Sequence, residues 1–225
     1  GGKGTRLKPY TISLPKPLVP IVDTPTIEII IKQLVKNGFD HITLTVNHMA
    51  EIIKAFCGDG SKWGIKIDYS HEKKALSTIA PIKLISDLPR NFLLMNGDVI
   101  TDLDFSSFYN SHAHTNNLFT IASASRKHVN NYGVLSHRDG VLTNFQEKPS
   151  IAFEVSMGIY MVNKDILNLI PEDTFFGFDD LMYKMLESNI RVDVVNHEGY
   201  WLDIGRPDDY TRATIDYDAV ISRLI

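Results

Sequence analysis

"FLLMNGDV", residues 92–99, decides how this chain is built. An apolar strand runs straight into Gly97 and Asp98, placing a carboxylate at the carboxyl end of a central strand. A charge there is costly unless it is paired or bound to a metal, and strand carboxyl ends are where open α/β sheets bind ligands. Upstream, residues 26–37 set Ile27, Ile30, Ile31 and Leu34 on one helical face, and Gly38 stops the helix. "HITLTV" (41–46) reads as a strand, "MAEIIKAFCGDG" as a short helix ending in a turn, and "WGIKIDYS" (63–70) as a strand. Downstream, "FSSFYNSHAH" reads as helix and "LFTIASAS" (118–125) as strand. A hairpin follows around Asp139-Gly140, then the strand "GIYMVN" and the helix "DDLMYKMLES". "RVDVVNHEGYWLDI" is strand again, and a last helix follows Pro207. Alternating strands and helices predict one α/β domain over residues 1–225, its largely parallel, mixed sheet covered on both faces.

Composition narrows the function. The 225 residues are 44% hydrophobic and 22% charged, a globular mixture with a net charge of −4. That balance argues against a nucleic-acid binder, whose domains carry a basic excess. No apolar run approaches a membrane span and no signal peptide is visible, so neither membrane nor secretion is indicated. The single Cys57 excludes an internal disulfide and fits a cytoplasmic setting. Positive charge gathers in the opening "GGKGTRLKPYTISLPKPLVPI" (1–21), with Lys3, Arg6, Lys8 and Lys16 beside glycines. This is neither a P-loop nor a dinucleotide fingerprint. It is a loop with exposed backbone N–H groups and an adjacent Arg, suited to a polyphosphate.

A second strand-end carboxylate is Asp203 in "GYWLDIGRP". Asp98 and Asp203 together could hold one Mg²⁺, which takes a few carboxylates plus phosphate oxygens and water. The competing use is a helix N-cap, weakened for Asp203 because Gly205 and Pro207 postpone the helix. Asp102 and Asp104 form a D-x-D pattern that reads better as the cap of the helix beginning near Phe105. In "FQEKP" (145–149), Glu147 and Lys148 point to opposite faces unless the chain bends at Pro149; spacing alone makes them a solvated hairpin end. His112 and His114 point to different sides of a helix, and Cys57 reads as a small apolar filler.

In order, "GGKGTRL", "PKPLVPI", "NGDV", "YGV", "EKP", "MGIY" and "WLDIGRPDDY" resemble the sugar 1-phosphate nucleotidyltransferases, from Gly1 to about Tyr210. "CGDGSKWGIKIDYSHE" and "FLLMNGDVITDLDF" are most similar to bacterial mannose- and glucosamine-1-phosphate guanylyltransferases and muramic acid 1-phosphate uridylyltransferase. The resemblance implies a Rossmann-like three-layer α/β/α fold with a mixed, mostly parallel central sheet. It also implies a first strand ahead of the glycine loop, missing from the chain as given, and an upstream regulatory domain is an expectation of the same kind.

The implied reaction joins a sugar 1-phosphate to an NTP, releasing pyrophosphate. The implied roles follow the matched positions. Gly1, Gly2, Gly4 and Thr5 hold the triphosphate, Arg6 neutralises the departing pyrophosphate and Lys16 contacts the nucleotide phosphates. Asp98 and Asp203 hold Mg²⁺. Lys148 grips the sugar phosphate, while Glu147, Gly133 and Ser156 read hydroxyls. Glu72 and Thr78 lie in the segment that meets the nucleotide, and the Glu72 carboxylate favours GTP because it can accept from guanine N1–H and its amino group. A homo-oligomer is a further expectation. The family's "LGTAGAL" reads "LSTIAPI" here, with Ser77 and Ala80 in place of glycines, "NAG" reads Ser156-Met157-Gly158, and the usual basic residue before Pro25 is Thr24. Two alternatives therefore stay open: a nucleotide-sugar sensor without turnover, and a glycosyltransferase using Asp102 and Asp104.

Overall fold

A computed structural model describes residues 4–225. After short 3-10 turns, β1 (Pro20–Ile21) and β2 (Thr24–Pro25) form a small hairpin leading into α1 (Thr26–Lys36). Next come β3 (His41–Val46), α2 (Ala50–Cys57), β4 (Lys66–His71), β5 (Asn91–Met95), β6 (Val99–Thr101) and α3 (Phe105–Ala113). The second half comprises β7 (Phe119–Val129), β8 (Val134–Arg138), β9 (Val141–Gln146), β10 (Ser150–Asn163), α4 (Phe178–Glu187), β11 (Val192–His197), β12 (Trp201–Asp203) and α5 (Pro207–Ile215).

The largest sheet has the order β11-β7-β10-β5. Its alternating side chains sort into two cores, as a period of two requires. Phe119 of β7 and Tyr160 and Val162 of β10 join Leu181 and Met185 of α4 on one face. Ala122, Ala124, Ile159 and Met161 face the other way, towards Ile30 and Leu34 of α1 and Phe105 and Phe108 of α3. Helices on both faces of a mixed sheet make the three-layer architecture that the sequence implies. The balance of directions differs from the mostly parallel expectation. Among the described ladders only β3–β4 and β7–β11 are parallel, whereas β10 runs antiparallel to both β5 and β7. The cause is the β8–β9 hairpin: a strand returning through a hairpin runs against the one it left. Asp139 and Gly140 at its tip have φ of 51° and 82°, the paired positive values of a type I′ turn.

One sequence boundary and one predicted face differ. The stretch read as one strand over 191–204 divides, with β11 in the main sheet and β12 paired to β6 instead. Helix α1 is buried on more than the one predicted face. Ile29 packs with Ile21, Ile100 and Leu202, while Ile27 and Ile31 pack with Ile53 and Cys57 of α2 and Ile67 of β4. Buried Gln33 is satisfied by donating to the Thr101 carbonyl at 2.6 Å. Cys57 is a buried filler as expected, and burial pushes its thiol up to about 11.

His112 and His114 separate as the helical spacing requires. His112 is buried against Thr120 Oγ1 at 2.8 Å, while His114 Nδ1 meets the Asn110 carbonyl. Burial lowers the His112 pKa below its ordinary 6.5, and the Asp193 charge partly opposes this. The unfolded chain therefore takes up the proton first, so stability is full above pH 6.5 and is lost as pH falls below it. Thermal melts from pH 7 down to about pH 5 should show a shallower acid decline in His112→Asn, whose amide can keep the Thr120 contact, than in the parent chain.

Candidate active site

The centre of the site is a strand pairing. β12 runs antiparallel to β6 with Asp203 opposite Val99, and the Ile204 N–H donates to the Asp98 carbonyl at 2.8 Å. Two acids far apart in sequence are thereby set at one place. Gly158 completes the arrangement. At φ +74° its missing Cβ would lie 2.5 Å from Asn96 Nδ2, so only glycine lets β10 approach the turn carrying Asp98. The register of β10 on β7 shifts between Ser156 and Tyr160 at the same level, and Ser156 Oγ bonds Tyr160 Oη at 3.1 Å.

Lys16 enters this cluster from the loop between the glycines and β1. Its Nζ contacts Asp98 Oδ2, and both side chains are less than a fifth exposed. Burial lowers the Lys16 pKa; the Asp203 charge works against that shift and the Arg6 charge adds to it. Two of the expected catalytic acids, Asp98 and Asp203, thus stand beside the ammonium of a third expected group, Lys16. Gly205 leaves room for it: a Cβ there would collide with Lys16 Nζ and sit 2.9 Å from Asp203 Oδ1. The glycine loop packs on the same lysine, since a Cβ on Gly4 would lie 2.9 Å from Thr11 Cγ2 and 3.2 Å from Lys16 Cβ. Thr5 and Arg6 follow in an exposed 3-10 turn. Gly1 and Gly2 lie outside the described residues.

The remaining candidates form two further groups. Glu72 is 5% exposed and its Oε2 accepts the Leu76 N–H at 3.1 Å, while Thr78 Oγ1 accepts the Phe178 N–H at 3.0 Å. Both therefore also tie down the segment running from β4 to α4. Ser77, where the resemblance implies glycine, holds φ +73°, a left-handed backbone that costs a residue with a Cβ about 1–2 kcal/mol. Glu147 and Lys148 are exposed, as the solvated-end reading has it, and the bend anticipated at Pro149 falls at Lys148, with φ +43°. Gly133 lies beside Glu147: a Cβ on it would be 3.3 Å from Glu147 Oε2. Among the described residues, neither Glu147 nor Lys148 makes an ion pair.

Asp104 is the N-cap of α3, accepting the Ser107 N–H at 2.9 Å, as expected, and that bond lowers its pKa. Asp102 Oδ1 holds His197 Nε2 and the Tyr200 N–H, each at 2.7 Å. With both acids committed to backbone and histidine, the D-x-D alternative loses its footing.

Two residues escaped sequence reasoning. Asp209, 5% exposed in the first turn of α5, takes both Nη atoms of Arg126 and the Asp203 N–H at 2.9 Å. An acid following Pro207 reads simply as a helix start, and its partner on β7 is invisible without the fold.

Asp98 and Asp203 set carboxylate oxygens beside the Lys16 ammonium, and oxygens of that kind suit Mg²⁺. Among the described residues no group of three or more His, Cys, Asp or Glu gathers as a metal cage. Phosphate oxygens and water would have to complete a shell there, which Mg²⁺ favours.

A mixed three-layer α/β domain with carboxylates at its strand ends, where such sheets take ligands, defines an open α/β class of protein. The chain belongs to the nucleotidyl transferase family, whose model matches residues 1–219. It is 32% identical over 233 residues to a UTP–glucose-1-phosphate uridylyltransferase of Synechocystis sp., covering 94% of this chain and 60% of that protein. It is 33% identical over 229 residues to a mannose-1-phosphate guanyltransferase of Gibberella zeae, covering 96% and 62%. The chain thus spans about three-fifths of the length of these relatives. The crystal structure of HddC from Yersinia pseudotuberculosis complexed with GMP-PN superposes with a TM-score of 0.73 at 26% identity, covering 96% of each chain.

Removing the Lys16 ammonium leaves the Asp98 carboxylate, 14% exposed, without its counter-charge. Lys16→Met should therefore cost about 1–3 kcal/mol in urea unfolding, and Lys16→Arg distinctly less.

Proposed function

We propose that this chain transfers a nucleoside monophosphate from an NTP to a sugar 1-phosphate, with Mg²⁺, releasing pyrophosphate. The observation that carries the reading is the Lys16 ammonium packed under the Gly4 loop and set against Asp98 and Asp203. The printed names of the relatives, a uridylyltransferase and a guanyltransferase acting on sugar 1-phosphates, support it.

In this reading an oxygen of the sugar phosphate forms a bond to the α-phosphorus while the bond to the β-phosphate oxygen breaks. That nucleophile is already an anion, so no general base is required; the demands are alignment and neutralisation of negative charge. The Gly4–Thr5 backbone, with Gly1 and Gly2 ahead of it, cradles the triphosphate, and Arg6 meets the departing pyrophosphate. Lys16 binds the nucleotide phosphates from below. Mg²⁺ held by Asp98 and Asp203 would neutralise phosphate charge and polarise the phosphorus–oxygen bond. Lys148, free of ion pairs among the described residues, takes the sugar phosphate, and Glu147, Gly133 and Ser156 take hydroxyls.

GTP is the proposed nucleotide, supported by the guanyltransferase names and by GMP-PN in the Yersinia neighbour; the uridylyltransferase relative makes UTP its competitor. No helix among the described residues is long and apolar enough to cross a membrane. We place the activity in the cytoplasm, where NTPs are made.

Incubation with Mg²⁺, each NTP and a panel of sugar 1-phosphates should release pyrophosphate with one pair and stop when EDTA is added. Asp98→Asn and Asp203→Asn should each lower kcat by about 100-fold or more, the scale of losing a pre-organised electrostatic group. A fully active Asp203→Asn enzyme refutes the metal assignment, and binding without pyrophosphate from any pair turns the reading to a sensor.

A further inference from the structure

Strand β12 is short, and among the described ladders its partner is β6, which sets Asp203 opposite Val99 along one edge. Its outer side is held by a different set of groups. The Asp203 N–H donates to Asp209 Oδ2 at 2.9 Å, and the Arg126 guanidinium grips the same carboxylate with both Nη atoms. Arg126 also lies over the Trp201 ring, 4.3 Å from its centroid, and Trp201 Nε1–H donates to the Met157 carbonyl at 3.1 Å. Both outer residues of β12 are thus anchored to β7, β10 and α5. An acid buried beside another acid would repel it, but the guanidinium balances Asp209, while Asp203 Oδ1 accepts the Gly205 N–H at 2.9 Å.

We propose that Asp209, oriented by Arg126, is the positioning residue that aims Asp203 at the reacting phosphates. The proposal rests on the functional reading above, in which Asp203 is a metal ligand. Asp209 touches neither phosphate nor metal in this scheme; it acts through the Asp203 backbone. Bidentate geometry makes the pair specific, because a lysine at 126 or an amide at 209 cannot reproduce two parallel N–H···O bonds to a charged acceptor.

The experiment compares the parent chain, Asp209→Asn, Arg126→Gln and Asp203→Asn. It measures Mn²⁺ binding by electron paramagnetic resonance in the presence of GTP and of UTP, then kcat and KM with Mg²⁺. Asp209→Asn should weaken Mn²⁺ binding about tenfold and lower kcat by a similar factor, while KM for the sugar phosphate moves less than threefold. Arg126→Gln, which leaves the Asp209 acceptor in place but unaimed, should show a smaller loss of the same kind, and it carries the test if Asp209→Asn does not fold. A lower melting temperature with unchanged Mn²⁺ binding and kcat in the folded variant overturns the proposal and leaves only a structural ion pair. Unchanged Mn²⁺ binding in Asp203→Asn overturns the metal reading and this proposal together, whereas loss there without loss in Asp209→Asn or Arg126→Gln overturns this proposal alone.

Discussion

Antiparallel pairing of β12 with β6 is the constraint on which the site depends, because it joins the last strand of the chain to the turn after β5. Without it Asp98 and Asp203 would belong to unconnected ends of the molecule. Bringing two carboxylates together is unfavourable in itself, and the seat is viable because a lysine from the opening loop reaches into it. Two glycines serve that approach, Gly205 admitting the ammonium and Gly4 its stem, while Gly158 admits the neighbouring strand.

Local signals carried the elements well. Apolar runs at 41–46 and 92–95, the Asp139-Gly140 turn and the stop at Gly38 are set by nearest neighbours, and they stand where period and turn chemistry put them. Pairing partners are a different matter. That β10 would reverse against both neighbours, or that 201–203 would leave the main sheet for β6, depends on long-range packing that no window of sequence contains. The same limit separates the site residues. Asp98 and Asp203, which the structure sets together, stand out at strand ends, and Lys16 stands out only through the "PKP" motif of the family resemblance. Asp209 and Arg126 do not, because an acid in a first helical turn and an arginine on a strand each look ordinary alone.

The β8–β9 hairpin contrasts with this packed centre. Leu135, Leu142 and Phe145 of β8 and β9 are all more than half exposed, and Glu147 and Lys148 at the hairpin's base are open to solvent.

Helix α1 contributes apolar residues to three separate clusters, through Ile30 and Leu34, Ile27 and Ile31, and Ile29. A rod shared by three cores allows none of them to melt privately. Loosening the β3–β4 end would shake the same helix that backs α3 and the sheet, so the domain should lose its order in a single cooperative event.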